Sequence, residues 1–203
     1  MKPIGESSWL LQFQDADELI ACRRALVVQR ALQMAKPPGL IETIAASRTL
    51  LVVGDDAFDP SFLTELERGA RAEAAATPRE LSLPVRFDGE DLADVAARCQ
   101  LSPAAYVDAV TSTRFTVGWI GFLPGFPYLL GLPRQLQVPR RGTPRAHVPA
   151  GSVAVAAGYA GVYPASSPGG WNRIGRTDGV LFDATRESPS MLAPGDLVRW
   201  VPT

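Results

Sequence analysis

Seven arginines and no carboxylate occupy the 69 residues between Asp108 and Asp178: Arg114, Arg134, Arg140, Arg141, Arg145, Arg173 and Arg176. Uniform scatter of the chain's 21 acids would put about seven there (69 × 21/203). A guanidinium is not deprotonated in a protein and is costly to bury unpaired. The partners must be carbonyls, water, acids from elsewhere in the chain, or an anion brought from outside. Two readings stay open. In one, the arginines face acids of the N-terminal half or an acidic partner. In the other, they line a pocket for an anionic substrate, which the planar fork of arginine and glycine-exposed N–H groups suit.

GGW at 169–171 and GRT at 175–177 bear on the second reading. Gly169 and Gly170 permit backbone geometry closed to other residues. Trp171 offers a broad platform with one N–H donor, and Arg176 with Thr177 sets a charge beside a hydroxyl. Arg140 and Arg145 lie in PRRGTPRAHVPAGS, which ends at Ser152, in itself an ordinary turn or strand-start hydroxyl. The candidate anion-binding set is Arg140, Arg145, Ser152, Gly169, Gly170, Trp171, Arg176 and Thr177. FLPGFPYLLGL at 122–132 is too aromatic and turn-rich to sit comfortably in water. It plugs one end of a β structure or faces a partner, which makes Phe122, Phe126 and Tyr128 candidate interface residues.

Much other chemistry is disfavoured. His147 is the single histidine, so a two-histidine zinc motif cannot form. Lys2 and Lys36 are the only lysines and neither stands in a phosphate-binding loop; GxGxxG is absent. Cys22 and Cys99 have no partner at metal-ligand spacing, and no metal ligand is assigned. No nucleophile–base pair stands out, so no catalytic residue is assigned either. Net charge −1 argues against nucleic acid or a membrane surface as partner. No apolar run approaches the roughly 20 residues of a membrane span, and the N-terminus lacks a signal-peptide core. The chain reads as cytoplasmic.

The elements that must position these residues fall into two textures. Alternating Trp9, Leu11 and Phe13 suggest a strand, and 17–33 reads as a helix with PPG beyond its end. Leu40–Ala46 and Thr49–Val53 suggest a hairpin; Asp59-Pro60 opens a helix to about residue 75; 81–87 closes the set as a strand. That β-α-β-β-α-β order is ferredoxin-like. Residues 88–112 read as two helical pieces, the second opened by Ser102-Pro103. From 118 to 179 there are 20 prolines and glycines in 62 positions, against 16 in the other 141. Such density excludes helices and suits short strands at 115–122, 152–156, 161–163, 171–174, 180–182 and 197–201 in a closed or sandwiched β structure. The expected architecture is α+β, with domains over 1–87 and 88–203.

GFLPGFPYLLGL, VPRRGTPRAHVPAGSVAVAAG and GVYPASSPGGWNRIGRT together resemble the signature of the allophanate hydrolase subunit 1 family. That family includes the B component of a bacterial ATP-dependent 5-oxoprolinase and a sporulation-kinase inhibitor. The resemblance implies a cyclophilin-like β-barrel after the small N-terminal domain. It implies two partners, a C component similar to allophanate hydrolase subunit 2 and an A component, with ATP, accompanied by Mg, consumed by the complex. The implied activity is ATP-driven opening of 5-oxoproline to glutamate, with this chain inactive alone. A kinase-inhibiting binding protein and a member of an allophanate or urea carboxylation system are the alternatives. Two positions depart from the family pattern: Asp88 stands where a Gly-Gly pair begins, and Val110 stands where a histidine is expected.

Overall fold

The computed structural model describes residues 1–69 and 78–203, and the chain divides into two units, Met1–Pro78 and Arg79–Thr203. The first contains β1 (Lys2–Pro3), β2 (Ser8–Gln12), α1 (Glu18–Ala35), β3 (Leu40–Ala45), β4 (Thr49–Gly54) and α2 (Ser61–Gly69). Helix α1 starts where Asp17 accepts hydrogen bonds from the Leu19 and Ile20 amides, at 2.7 and 3.2 Å. It ends at Lys36 in the left-handed region, φ 43°. Its buried residues Ala21, Cys22, Ala25, Val28 and Leu32 recur at helical spacing. Burial pushes the Cys22 thiol up to about 12, so it is inert packing. The further part of the helix expected to reach residue 75 lies outside the described residues.

The strands of this unit pair in the order β1-β2-β4-β3, all antiparallel. A ferredoxin-like sheet would need the strand expected at 81–87 beside β2. The two-residue β1 is there instead, and the expected strand, β5 (Glu80–Val85), belongs to the second unit. The ferredoxin-like expectation therefore does not stand, and the unit boundary falls at 78/79, not 87/88. An alternating apolar pattern identifies a strand but not the sheet it joins.

The second unit continues with α3 (Leu92–Arg98), α4 (Pro103–Thr111), β6 (Phe115–Ile120), β7 (Pro127–Leu130), β8 (Arg145–Val148) and β9 (Ser152–Ala156). Then come β10 (Tyr159–Val162), β11 (Ser167–Gly169), β12 (Asn172–Arg176) and β13 (Leu197–Pro202). Seven strands run β12-β9-β10-β7-β6-β13-β5, with β13–β5 parallel and the other pairs antiparallel. An antiparallel bridge between Arg86 and Arg176 joins the two end strands, so the sheet is a nearly closed barrel. Its core holds Val117, Leu129, Val153, Val155, Val162, Ile174 and Trp200.

Strand β9 is buried on both faces. Its alternate residues Ala154 and Ala156 belong to a second apolar cluster with Phe126, Val148, Tyr163 and Trp171. The expected strand at 180–182 is reduced to a single bridge, Phe182 to Ser190. Strands β7, β8 and β11 go beyond the sequence expectation, because proline or glycine in or beside such short runs masks the alternation.

Candidate functional site

The barrel is closed along a seam between β12 and the segment 86–91. Backbone hydrogen bonds run both ways between Arg86 and Arg176, at 2.8 and 2.9 Å. The Gly89 amide donates to the Ile174 carbonyl (3.2 Å) and the Asp91 amide to that of Arg173 (3.0 Å). A Cβ at Gly89 would overlap the Arg173 carbonyl oxygen, so the seam requires glycine there. Side chains follow the same register. Asp88 takes Nε and Nη2 of Arg176 at 3.0 and 2.9 Å, and Glu90 takes Nη1 of Arg173 at 2.6 Å.

Asp91 is the centre of this network and is only 6% exposed. Its oxygens accept from Arg141 Nη1 (2.7 Å), from Arg145 Nη1 and Nη2 (both 2.9 Å), and from the Arg173 amide (2.7 Å). Arg145 Nε turns to Glu90 at 2.9 Å. Burial pushes the Asp91 carboxyl up, but the hydrogen bonds and charges of Arg145, the Arg173 amide and Arg141 outweigh it and hold the group below the usual carboxylate range. Acids lying just before the acid-free stretch thus neutralise most of its arginines: Asp88, Glu90 and Asp91 take Arg141, Arg145, Arg173 and Arg176, and Glu80 takes Arg114.

The eight residues singled out from sequence fall into two groups. Arg145 pairs with Gly169 across β8–β11, the Arg141 amide donates to the Gly170 carbonyl (2.9 Å), and the Trp171 amide donates to the Tyr163 hydroxyl. Burial raises the Tyr163 hydroxyl, against the pull of that amide and of Arg140. These contacts gather Arg140, Arg145, Gly169, Gly170 and Trp171. Ser152 and Thr177 go with Arg176: Ser152 is its register partner on β9, and the Thr177 amide donates to the Gly151 carbonyl (2.9 Å). The buried Ser152 hydroxyl has no partner among the described residues. No hydrogen bond or ion pair among those residues joins Arg176 to Gly169 or Gly170.

The aromatic stretch is neither wholly plug nor wholly face. Phe126 is 1% exposed and meets Phe122, Tyr128, Tyr163 and Trp171 edge-on, at ring-centroid distances of 5.1 to 5.4 Å. Phe126 is therefore packing within this chain, not a surface residue awaiting a partner. Tyr128 is half-buried and stacks on Trp119 at 4.5 Å. Phe122 is 60% exposed and holds φ 67°, a left-handed conformation unusual for an aromatic residue.

The carboxyltransferase-domain family, subdomains C and D, matches residues 1–192. The chain belongs to this family. It is 38% identical over 206 residues to the 5-oxoprolinase B subunit of Escherichia coli O157:H7, covering 98% of this chain and 94% of that protein. The crystal structure of TTHA0988 in space group P212121 superposes with a TM-score of 0.86 at 39% identity, covering 97% of this chain and 40% of that one. The chain thus spans about two fifths of that longer protein. Urea amidolyase of K. lactis, at 19% identity and TM-score 0.77, covers all of this chain with 14% of its own length and shares the fold.

Within this carboxyltransferase-domain chain, the charged residues of the seam segment 86–91 escape sequence reasoning as partners of the arginines. Asp91, Glu90 and Asp88 lie outside the acid-free window, in a segment that reads as the start of a helical piece, with Asp88 marked only as a departure from the family pattern. Their spacing against Arg173 and Arg176 is a signal visible once β12 is paired. Arg86 lies outside the window too, and only the seam brings it opposite Arg176. Val110, where the resemblance expects histidine, is wholly buried in the barrel unit's core. Asp88, where it expects glycine, holds the fork of Arg176.

Proposed function

We infer that the chain is the B component of an ATP-dependent 5-oxoprolinase-like enzyme that opens 5-oxoproline to glutamate together with the A and C components. The observation that carries this is the 38% identity to a 5-oxoprolinase B subunit over nearly the whole of both chains. The barrel, of the cyclophilin-like kind that the family resemblance implies, supplies a scaffold for anions. Arg140, with no acidic partner among the described residues, and the Gly169–Gly170 backbone form its candidate anion-binding edge. Among the described residues no cluster of acidic, histidine or cysteine side chains could hold Mg, and the cavity beside Arg176 does not fit ATP. The cavity beside Arg176 is about 140 Å³, below the roughly 300–1,000 Å³ typical of ligand pockets. The seam acids are already bound to arginines. No step through ATP is assigned to this chain, and alone it turns nothing over.

Phe122 is the proposed partner contact. A strained aromatic residue held out at a turn is a feature that the surroundings must over-determine, and assembly gives it a use. Phe122→Gly removes the strain and the ring together. It leaves thermal stability within about 3 °C, roughly 1 kcal/mol for a chain of this size, and weakens assembly with the C component at least tenfold. The test of function is co-expression with the A and C components, followed by measurement of glutamate formed from 5-oxoproline and ATP. Glutamate release that needs all three chains supports the reading; an assembled complex that makes none sinks it.

A further inference from the structure

The open end of the seam carries charges, at Arg86 and Asp178, that no described residue pairs. A small cavity there is lined by Pro84, Arg86, Arg176, Thr177, Asp178, Gly179 and Thr203. Its volume of about 140 Å³, against roughly 300–1,000 Å³ for pockets that take drug-sized ligands, suits a small solute and not a nucleotide. Arg86 and Arg176 stand directly opposite each other across the bridge, a like-charge pairing that destabilises a sheet unless compensated. Arg176 is compensated by Asp88, which takes Nε and Nη2. The guanidinium of Arg86 has no hydrogen bond or ion pair with any described residue.

Asp178, on the same cavity, likewise has no cationic partner among the described residues. Arg86 reaches neither Asp178 nor the terminal carboxylate of Thr203 within ion-pair distance, so the cavity has an open positive pole at Arg86 and open carboxylates at Asp178 and Thr203. Thr177 lines the same cavity, 7% exposed, and its hydroxyl accepts from the Gly179 amide at 3.2 Å and donates to none of the described residues. An unused guanidinium fork, an unused carboxylate and a spare hydroxyl proton on one small cavity complement a zwitterion. A lone anion would leave Asp178 unmatched, and a lone cation would leave Arg86 unmatched.

We propose that this cavity binds a free α-amino acid, its carboxylate on Arg86 and Thr177 and its ammonium on Asp178. The choice of L-glutamate as probe rests on the function proposed above, whose product it is. 5-Oxoproline has a carboxylate but an uncharged lactam nitrogen, so the site favours product over substrate.

The test is calorimetric titration of the full 203-residue chain, without partners or ATP. L-Glutamate should bind saturably. Arg86→Gln should weaken it at least tenfold, as should Asp178→Asn. Asp178→Asn should leave glutarate, which lacks the ammonium, within about twofold of its wild-type affinity. Both side chains are exposed, so unchanged thermal unfolding of the variants checks that they remain folded. Absence of saturable glutamate binding, or binding indifferent to both substitutions, overturns the proposal. Turnover by the three-chain complex without glutamate binding here sinks the cavity alone; binding here without turnover sinks the proposed activity alone.

Discussion

The two ends of the barrel seam use the same residue type in opposite ways. At the Asp91 end, three arginines converge on two carboxylates in partly buried geometry, with most donors spoken for. At the Arg86 end, two arginines face each other across a strand pair, one held loosely by an exposed aspartate and one by nothing in the described chain. Burial decides the difference. Where the guanidinium groups leave water, each must have a carboxylate or its burial is prohibitive. At the rim water serves as partner, and the charge stays available to a ligand. An arginine-rich, acid-free stretch is therefore not by itself a binding site.

The sharpest way to break this contrast is at Asp91. Asp91→Asn removes the charge that two guanidinium groups share while leaving them in place. With side chains of Arg145 and Arg141 at 18% and 33% exposure, water recovers part of the loss. Removing one partner of a buried pair costs about 3–5 kcal/mol, and the partial exposure sets the expectation at about 3 kcal/mol. That lowers the melting temperature by roughly 6–12 °C for a chain of this size. Calorimetry checks it; a change under about 2 °C, less than 1 kcal/mol, would mean that Asp91 does not hold the seam.

Arg145→Lys is gentler. It keeps the charge but gives up the two-pronged contact with Asp91 and the Nε contact with Glu90. The expected loss is about 1–2 kcal/mol, the scale of a hydrogen bond to a charged group, read as a shift in the urea midpoint at unchanged slope.

The pH dependence follows from the same carboxylate. Asp91 is held below its unfolded value of about 3.9. Its contribution is therefore complete above about pH 5 and is lost as pH falls through the lower, folded value. Wild-type stability should decline below roughly pH 4, and Asp91→Asn should decline less steeply over the same range. Parallel acid profiles for the two proteins would contradict the assignment.

Asp88→Gly is the smallest perturbation. Asp88 and Arg176 are 41% and 54% exposed, and such pairs contribute about 0–1 kcal/mol. Stability should stay within about 1 kcal/mol, while the freed fork of Arg176 joins Arg86 in attracting anions. Tighter binding of glutarate, by about two- to fivefold, would confirm that Asp88 keeps Arg176 occupied. Unchanged binding would mean that Arg176 does not reach the cavity contents.

How far these features can be read from the sequence depends on range. The α1 cap at Asp17, the hairpin at 40–54 and the Ser102-Pro103 helix start are local and legible. So is the β character of 115–176, because dense proline and glycine excludes helices. Strand β5 is legible as a strand, but its sheet is not, since its partner β13 lies more than a hundred residues away. The arginine cluster is visible as an imbalance, but which arginines are already paired is not. That depends on the register that sets Asp88 against Arg176 and Glu90 against Arg173, and a one-residue slip would reassign every pair. Phe126 and Phe122 look alike in the sequence, and only the turn between them sends one inward and one out.

The central claim is that the Asp91 end of the seam is architecture and the Arg86 end is a binding surface. Thermal unfolding of the full chain, with and without saturating L-glutamate, tests both halves in wild type, Arg145→Lys and Arg86→Gln. Ligand at about a hundred times its dissociation constant raises stability by about 2.7 kcal/mol, so binding appears as a shift and architecture as the baseline. The expected result is a lowered baseline with the glutamate shift retained for Arg145→Lys, and a wild-type baseline with the shift lost for Arg86→Gln. An Arg145→Lys protein that keeps its baseline and loses the shift, or an Arg86→Gln protein that does the reverse, would contradict the account.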